Sequence, residues 1–254
     1  MHKKSKRAAL LNIGGFLALA LAVALFFVAL LFQDPVFLSH YEDVMRRLAE
    51  FEYAVASLPY KWQILLAVFA IFLLKSIVPI PIPISAVCLI SGMALPMPMA
   101  LLVNSIGFFI LITIKYYWGK HLGGGWLHKF LSRKEEMKKM LNADRKTNAI
   151  LLVLFRLVPS FPVSTISKLY GAMHYDFKRF WWLSIAGYFP KLISYSIIGR
   201  NVYNPFSMAF MLPIIIILLL SGIALFAINA VIEIFNKTIK NKEKNQIPKE
   251  ERTN

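Results

Sequence analysis

The chain has 254 residues, 58% of them hydrophobic, and a formal net charge of +16. Its mean hydropathy of +0.60 excludes an ordinary soluble domain. The layout of its charge excludes a nucleic-acid binder: the basic clusters are three short polar segments, His2–Arg7, Lys120–Lys146 and Lys237–Arg252, separated by apolar runs long enough to enter or cross a bilayer.

Residues 1–7 read as a basic cytoplasmic tail. Ala8–Phe32 is too long an apolar run for the core of a cleaved signal peptide, so 8–32 is expected as a retained first transmembrane helix. The segment 33–61 is expected as an external amphipathic stretch, in which Gln33–Tyr60 carries five acids against Arg46 and Arg47. In it Phe37, Tyr41, Val44, Leu48, Phe51, Val55 and Leu58 recur every three or four residues, the stripe of an amphipathic helix, surface-lying or ordinarily packed.

Residues 62–200 form the core. The apolar segment 62–93 is interrupted by Pro79-Ile80-Pro81-Ile82-Pro83, and 149–174 by Pro159-Ser160-Phe161-Pro162. Proline removes a backbone donor and clashes with the preceding turn, so neither segment is expected as one continuous helix. Broken backbone at membrane depth survives only where protein or a water-filled cavity surrounds it, and both segments therefore read as re-entrant hairpins. Between them, 97–118 is expected to span. The loop 119–148 holds eight Lys or Arg between Lys120 and Lys146. Trp126, Phe130, Met137 and Leu141 suggest a second amphipathic helix there, lying on anionic inner-leaflet lipid or simply packed. Residues 177–198 and 207–232 complete four expected spans, and 233–254 is a basic tail. With both termini inside, every short basic loop lands in the cytoplasm.

The two broken segments repeat one spacing. Pro83 precedes Gly92 by nine residues, as Pro162 precedes Gly171. The helices that follow end in Gly119-Lys120 and Gly199-Arg200, and Lys75 and Arg156 each stand about one turn before a proline cluster. Entered from opposite faces, the two units make an inverted repeat, an architecture of transporters with the substrate site at the repeat interface. The expected fold is thus an all-α polytopic membrane protein, with two opposed re-entrant hairpins and four spanning helices.

Charge supplies the functional signal. No Asp or Glu lies between Tyr53 and Lys134, where Lys75 and Lys115 sit in apolar runs. Between Asp144 and Glu233 the one acid is Asp176, while Arg156, Lys168 and Lys191 are similarly placed. A charge at membrane depth costs roughly 2.5–3.5 kcal/mol and normally has a partner, so the missing anion points to an anionic ligand. Arg156 leads the candidates, because a guanidinium grips phosphate with a planar fork of donors. Lys75, Lys168 and Lys191 follow as cations, and Ser164 and Ser167 as hydroxyl donors. Lys115 is expected to snorkel. Nothing points to an enzyme, a metal or a cofactor. His2, His40, His121, His128 and His174 lack metal-ligand spacing, and Gly123-Gly124-Gly125 lacks the Lys-Ser/Thr of a nucleotide loop.

The run Phe155-Arg156-Leu157-Val158-Pro159-Ser160-Phe161-Pro162, followed by Gly171 and Phe177, resembles the signature of the DedA superfamily, the VTT or SNARE-associated Golgi protein domain, and most its Tvp-like branch. The first unit, with Pro79, Pro81, Pro83 and Gly92, resembles the same family's amino-terminal half. The resemblance covers about Trp62 to Arg200. It implies opposed re-entrant hairpins and movement of phospholipids or polyprenyl phosphates between leaflets. Proton-linked members carry acids in the first hairpin and a second arginine in the second. Here those positions hold Leu73, Ser85 and Pro162, so the resemblance does not extend to proton coupling. The expected protein is a lipid transporter of a bacterial cytoplasmic membrane, with homo-oligomerisation left open by the sequence. Its rivals are a secondary transporter of an ion or small anion and a non-transporting membrane scaffold.

Overall fold

A computed structural model describes residues 2–33, 39, 41–57, 61–78, 80–132 and 145–246. Among these the protein is all-helical: α1 His2–Leu31, α2 Glu42–Ala56, α3 Lys61–Ile77, α4 Ile84–Ala94, α5 Met97–Ser132, α6 Arg145–Leu157, α7 Val163–Ala172, α8 Phe177–Arg200 and α9 Met208–Gln246.

Both proline clusters fall between helices. α3 ends at Ile77 and α4 resumes at Ile84, with Pro83 as its N-cap; α6 ends at Leu157 and α7 resumes at Val163, capped by Pro162. The segments 62–93 and 149–174 are thus helix–break–helix units, as the missing proline donors require.

Among the described residues three helices are long and apolar enough to cross a membrane: Ala8–Leu31, Met97–Gly123 and Met208–Ile234. The fourth expected span, 177–198, forms helix α8, with Asp176 capping it by accepting from the Arg179 amide at 2.8 Å. It is less apolar than the other three because Lys178, Arg179 and Lys191 interrupt it. Three boundaries move. α1 begins at His2, so residues 2–7 of the expected tail are helical. α5 runs beyond 118 to Ser132 through a kink at Gly123, whose φ of 65° suits glycine, so Trp126 and Phe130 fall on its continuation. Met137 and Leu141 lie outside the described residues. α9 carries 14 residues of the expected tail as helix, closed partly by a Lys237–Glu233 ion pair at 2.8 Å.

Packing follows a reciprocal pattern. α3 lies on α5 and α6 on α8, while α4 packs on α8 and α7 on α5. Glycines permit these contacts. A Cβ at Gly92 would lie 2.3 Å from Ser196 O, and one at Gly199 2.2 Å from Leu89 O. At the other crossing, a Cβ at Gly171 would lie 1.9 Å from Tyr116 O, and one at Gly119 2.0 Å from Lys168 O. These are backbone-to-backbone approaches that only a missing side chain allows. Phe108 of α5 and Tyr188 of α8, eighty positions apart, stack with centroids 4.3 Å apart and planes within 8°. α1 and α9 pack on each other beside this core. α2 reaches the α8–α9 connection through Phe51 and Tyr203, 5.9 Å between ring centroids.

Candidate functional site

A cavity of about 350 Å³ opens where the two breaks meet. Its wall takes matching residues from each unit: Pro83, Ile84 and Ser85 from the first, Pro162, Val163 and Ser164 from the second. Pro159, Ser160 and Phe161 extend the second side, Lys75 comes from the end of α3, and α8 adds Tyr188, Lys191 and Tyr195. Among the described residues the lining holds two ammonium groups and no carboxylate.

Lys75 owes its place to the proline string. Alternating prolines deprive the break of amide donors, and the Lys75 ammonium covers two of its carbonyls, donating to Ile80 O at 3.0 Å and to Ile82 O. Arg156, one turn before the second break, does the corresponding work there. Its guanidinium donates to Val163 O at 3.1 Å, to Ser167 Oγ at 2.8 Å and to Ser184 Oγ at 3.2 and 3.3 Å. Gly187 brings α6 close enough for this, since a Cβ there would lie 2.7 Å from Arg156 Cβ. Arg156 is 1% exposed and does not line the cavity: it ties α6, α7 and α8 together behind the wall.

Lys191 differs from both. It is 2% exposed, lines the cavity, and has no hydrogen bond or ion pair among the described residues. Its Nζ lies 4.6 Å from the centroid of the Tyr188 ring. That contact softens the charge without neutralising it.

Of the six residues expected to bind substrate, the cavity therefore gathers Lys75, Ser164 and Lys191. Arg156 and Ser167 stand behind the wall, with Ser167 also donating to Val163 O at 2.8 Å. Lys168 lies away from it, over Trp118. Among the architectural residues, Pro83, Pro159 and Pro162 line the cavity, Gly92 and Gly171 make the crossings, Phe155 packs on Phe161 at 4.8 Å, and Phe177 on Tyr116 at 5.2 Å. Pro81 is exposed, and Pro79 lies outside the described residues.

Sequence reasoning passed over Asn104, Ser184, Tyr188 and Tyr195. Asn104 is fully buried, accepts from Ser91 Oγ at 2.8 Å and donates to Ser196 Oγ at 3.0 Å, joining α4, α5 and α8. Its signal was available, for it is the only amide side chain in the apolar run 97–118. Ser184 and the two tyrosines gave none, because polar-tipped residues on an apolar helix do not announce which of them face a cavity or, like Ser184, a buried cation behind it.

Residues 80–201 match the family model of the VTT domain. No curated protein and no solved structure matches the chain.

Proposed function

Because this chain is a VTT-domain membrane protein of the DedA/SNARE-associated Golgi protein family, we propose that it moves an anionic-headgroup lipid, a phospholipid or a polyprenyl phosphate, between leaflets. The observation that carries this reading is the cavity, in which Lys75 and Lys191 face a common space with no carboxylate among the described residues of its lining. Its volume of about 350 Å³ suits a headgroup and not the attached chains, which stay in the membrane while the phosphate enters sideways. Lys191 supplies the unpaired charge, Lys75 its remaining donor, and Ser85 and Ser164 hydroxyl contacts. Arg156, Ser167 and Ser184 hold the wall in register. Lys168 acts outside the cavity.

The two helix–break–helix units are re-entrant hairpins in an inverted repeat, and relative movement of the units exposes the headgroup to one leaflet and then the other. Supporting this are the matched glycine crossings and the pairing of each unit's short helix with the other unit's long one. α8 then crosses the membrane as the fourth span, tolerating its charges at its ends and in the cavity. Both termini lie in the cytoplasm of a bacterial cell. Placement in the Tvp-like branch rests on the motif from Phe155 to Pro162.

The topology has its own test. In a Cys88→Ala background, cysteines at Lys61 and Pro96 are expected to react with an impermeant thiol reagent from outside intact cells. Cysteines at Thr147 and His174 should react only once the inner face is opened. Opposite-side labelling within either pair would convert that unit from a hairpin to a span.

The function is tested by reconstitution into vesicles with labelled lipids. Exchange of an anionic lipid should exceed that of a zwitterionic one, and Lys75→Gln should reduce it severalfold while leaving residual activity, since Lys191 remains. Passage of a free anion with no lipid exchange would favour the secondary transporter. Neither activity, in correctly folded protein, would leave the scaffold.

A further inference from the structure

The cavity does not use every buried cation. On the outer side of the α5–α7 crossing, Lys115 Nζ lies 4.8 Å and Lys168 Nζ 5.0 Å from the centroid of one indole, Trp118. The two ammonium groups are thus no more than about 10 Å apart, within one Debye length of each other at ordinary salt. Neither ammonium has an ion pair among the described residues; Asp176, the one acid between Asp144 and Glu233, caps α8 instead.

Snorkelling does not account for Lys115. A snorkelling lysine buries its stem and carries its ammonium to water. Lys115 is 2% exposed overall, and has no hydrogen bond or ion pair among the described residues. The indole attracts a cation, but one ring shared by two leaves their mutual repulsion unanswered. Trp118 is 37% exposed and Lys168 half-buried, so this cluster opens to the membrane side and not into the cavity.

We infer that Lys115, Trp118 and Lys168 form a second anion station, which holds the phosphate group of a lipid against the outside of the α5–α7 crossing. Two flexible ammonium groups close on the phosphate oxygens from either side, while the indole and the apolar faces of α5 and α7 take the glycerol and first methylenes. A lipid is favoured over free phosphate because the exposed edge is a helix flank of a membrane core. The station is one-sided. Gly199 meets Leu89 as Gly119 meets Lys168, and the positions corresponding to Lys115 and Trp118 eighty residues on are Tyr195 and Ile198. The protein therefore offers a waiting anion a foothold at one of its two glycine crossings and none at the other. This holds whether or not the cavity transports lipid.

The test is direct binding to the full chain in neutral detergent, read by tryptophan emission. Dioctanoyl phosphatidic acid should change the emission saturably, the change should vanish in Trp118→Phe, and dioctanoylglycerol should produce none. In Lys115→Gln/Lys168→Gln the half-saturating concentration should rise about tenfold, as expected for losing charge-assisted contacts to phosphate. Lys168→Gln alone, at a half-exposed position that folding tolerates, should give a smaller shift in the same direction. An equal response to inorganic phosphate would keep the phosphate site and overturn the lipid as its source. No Trp118-dependent response to either phosphate probe, or a response unmoved by the lysine substitutions, overturns the station.

Discussion

Gly171→Ala is expected to unfold or severely loosen the core, although it adds a single methyl group. The new Cβ would lie 1.9 Å from Tyr116 O, 2.8 Å from its carbonyl carbon and 3.0 Å from the Lys120 amide nitrogen. All three are backbone atoms of α5, so no rotamer change relieves the clash and the helices must separate. Overpacking ordinarily costs about 1–3 kcal/mol, and a backbone obstacle on a rigid helix puts this site at or above the upper end. In a chain of this size that corresponds to a fall of roughly 6–12 °C in the midpoint of thermal unfolding in detergent. Gly125→Ala is the control, because a Cβ there meets nothing within 4 Å. Its midpoint should not move. Equal midpoints for the two variants would mean that α5 and α7 are not in backbone contact at this crossing.

The same glycines mark how far the sequence could be read. Gly92, Gly119, Gly171 and Gly199 stood out by spacing alone, and the fold uses all four as points of backbone approach. The breaks were equally legible, since the absence of an amide proton is a local property of proline. What spacing did not convey was the partner at each crossing: the glycine of one unit meets the long helix of the other, a choice made in three dimensions. Helix ends were read least well. α5 continues past Trp118 because nothing before Gly123 stops it, and α9 runs on because Lys237 and Glu233 suit a helix four residues apart.

Arg156 and Lys191 illustrate the limit for the site. In the sequence they carry one signal, a cation in an apolar run without a nearby acid. Arg156 finds its partners 7, 11 and 28 residues on, in a carbonyl and two hydroxyls that no charge pattern would reveal. Lys191 finds a ring face and, among the described residues, no hydrogen bond. Whether a cation is spoken for depends on neutral acceptors brought by the fold, and those are invisible to a count of acids.

Lys191→Met is therefore expected to stabilise the protein and disable it together. Methionine keeps the length and flexibility of the lysine stem while removing the ammonium of a residue that is 2% exposed and has no hydrogen-bond partner among the described residues. Removing a charge at membrane depth gains roughly 2.5–3.5 kcal/mol, against about 0.5–2 kcal/mol lost with the Tyr188 contact. The net, about 0.5–3 kcal/mol, should raise the unfolding midpoint by roughly 1–12 °C. In reconstituted vesicles the same variant should slow anionic-lipid exchange at least about tenfold, equivalent to ~1.4 kcal/mol of barrier, because the one uncommitted cation in the cavity is gone. Opposite signs in the two measurements are the signature of a group kept for binding at the expense of stability. A residue held for packing would lose both together. If Lys191→Met lowers the midpoint, or raises it while exchange continues at the original rate, the cavity's cation serves the fold and the phosphate has to be held elsewhere.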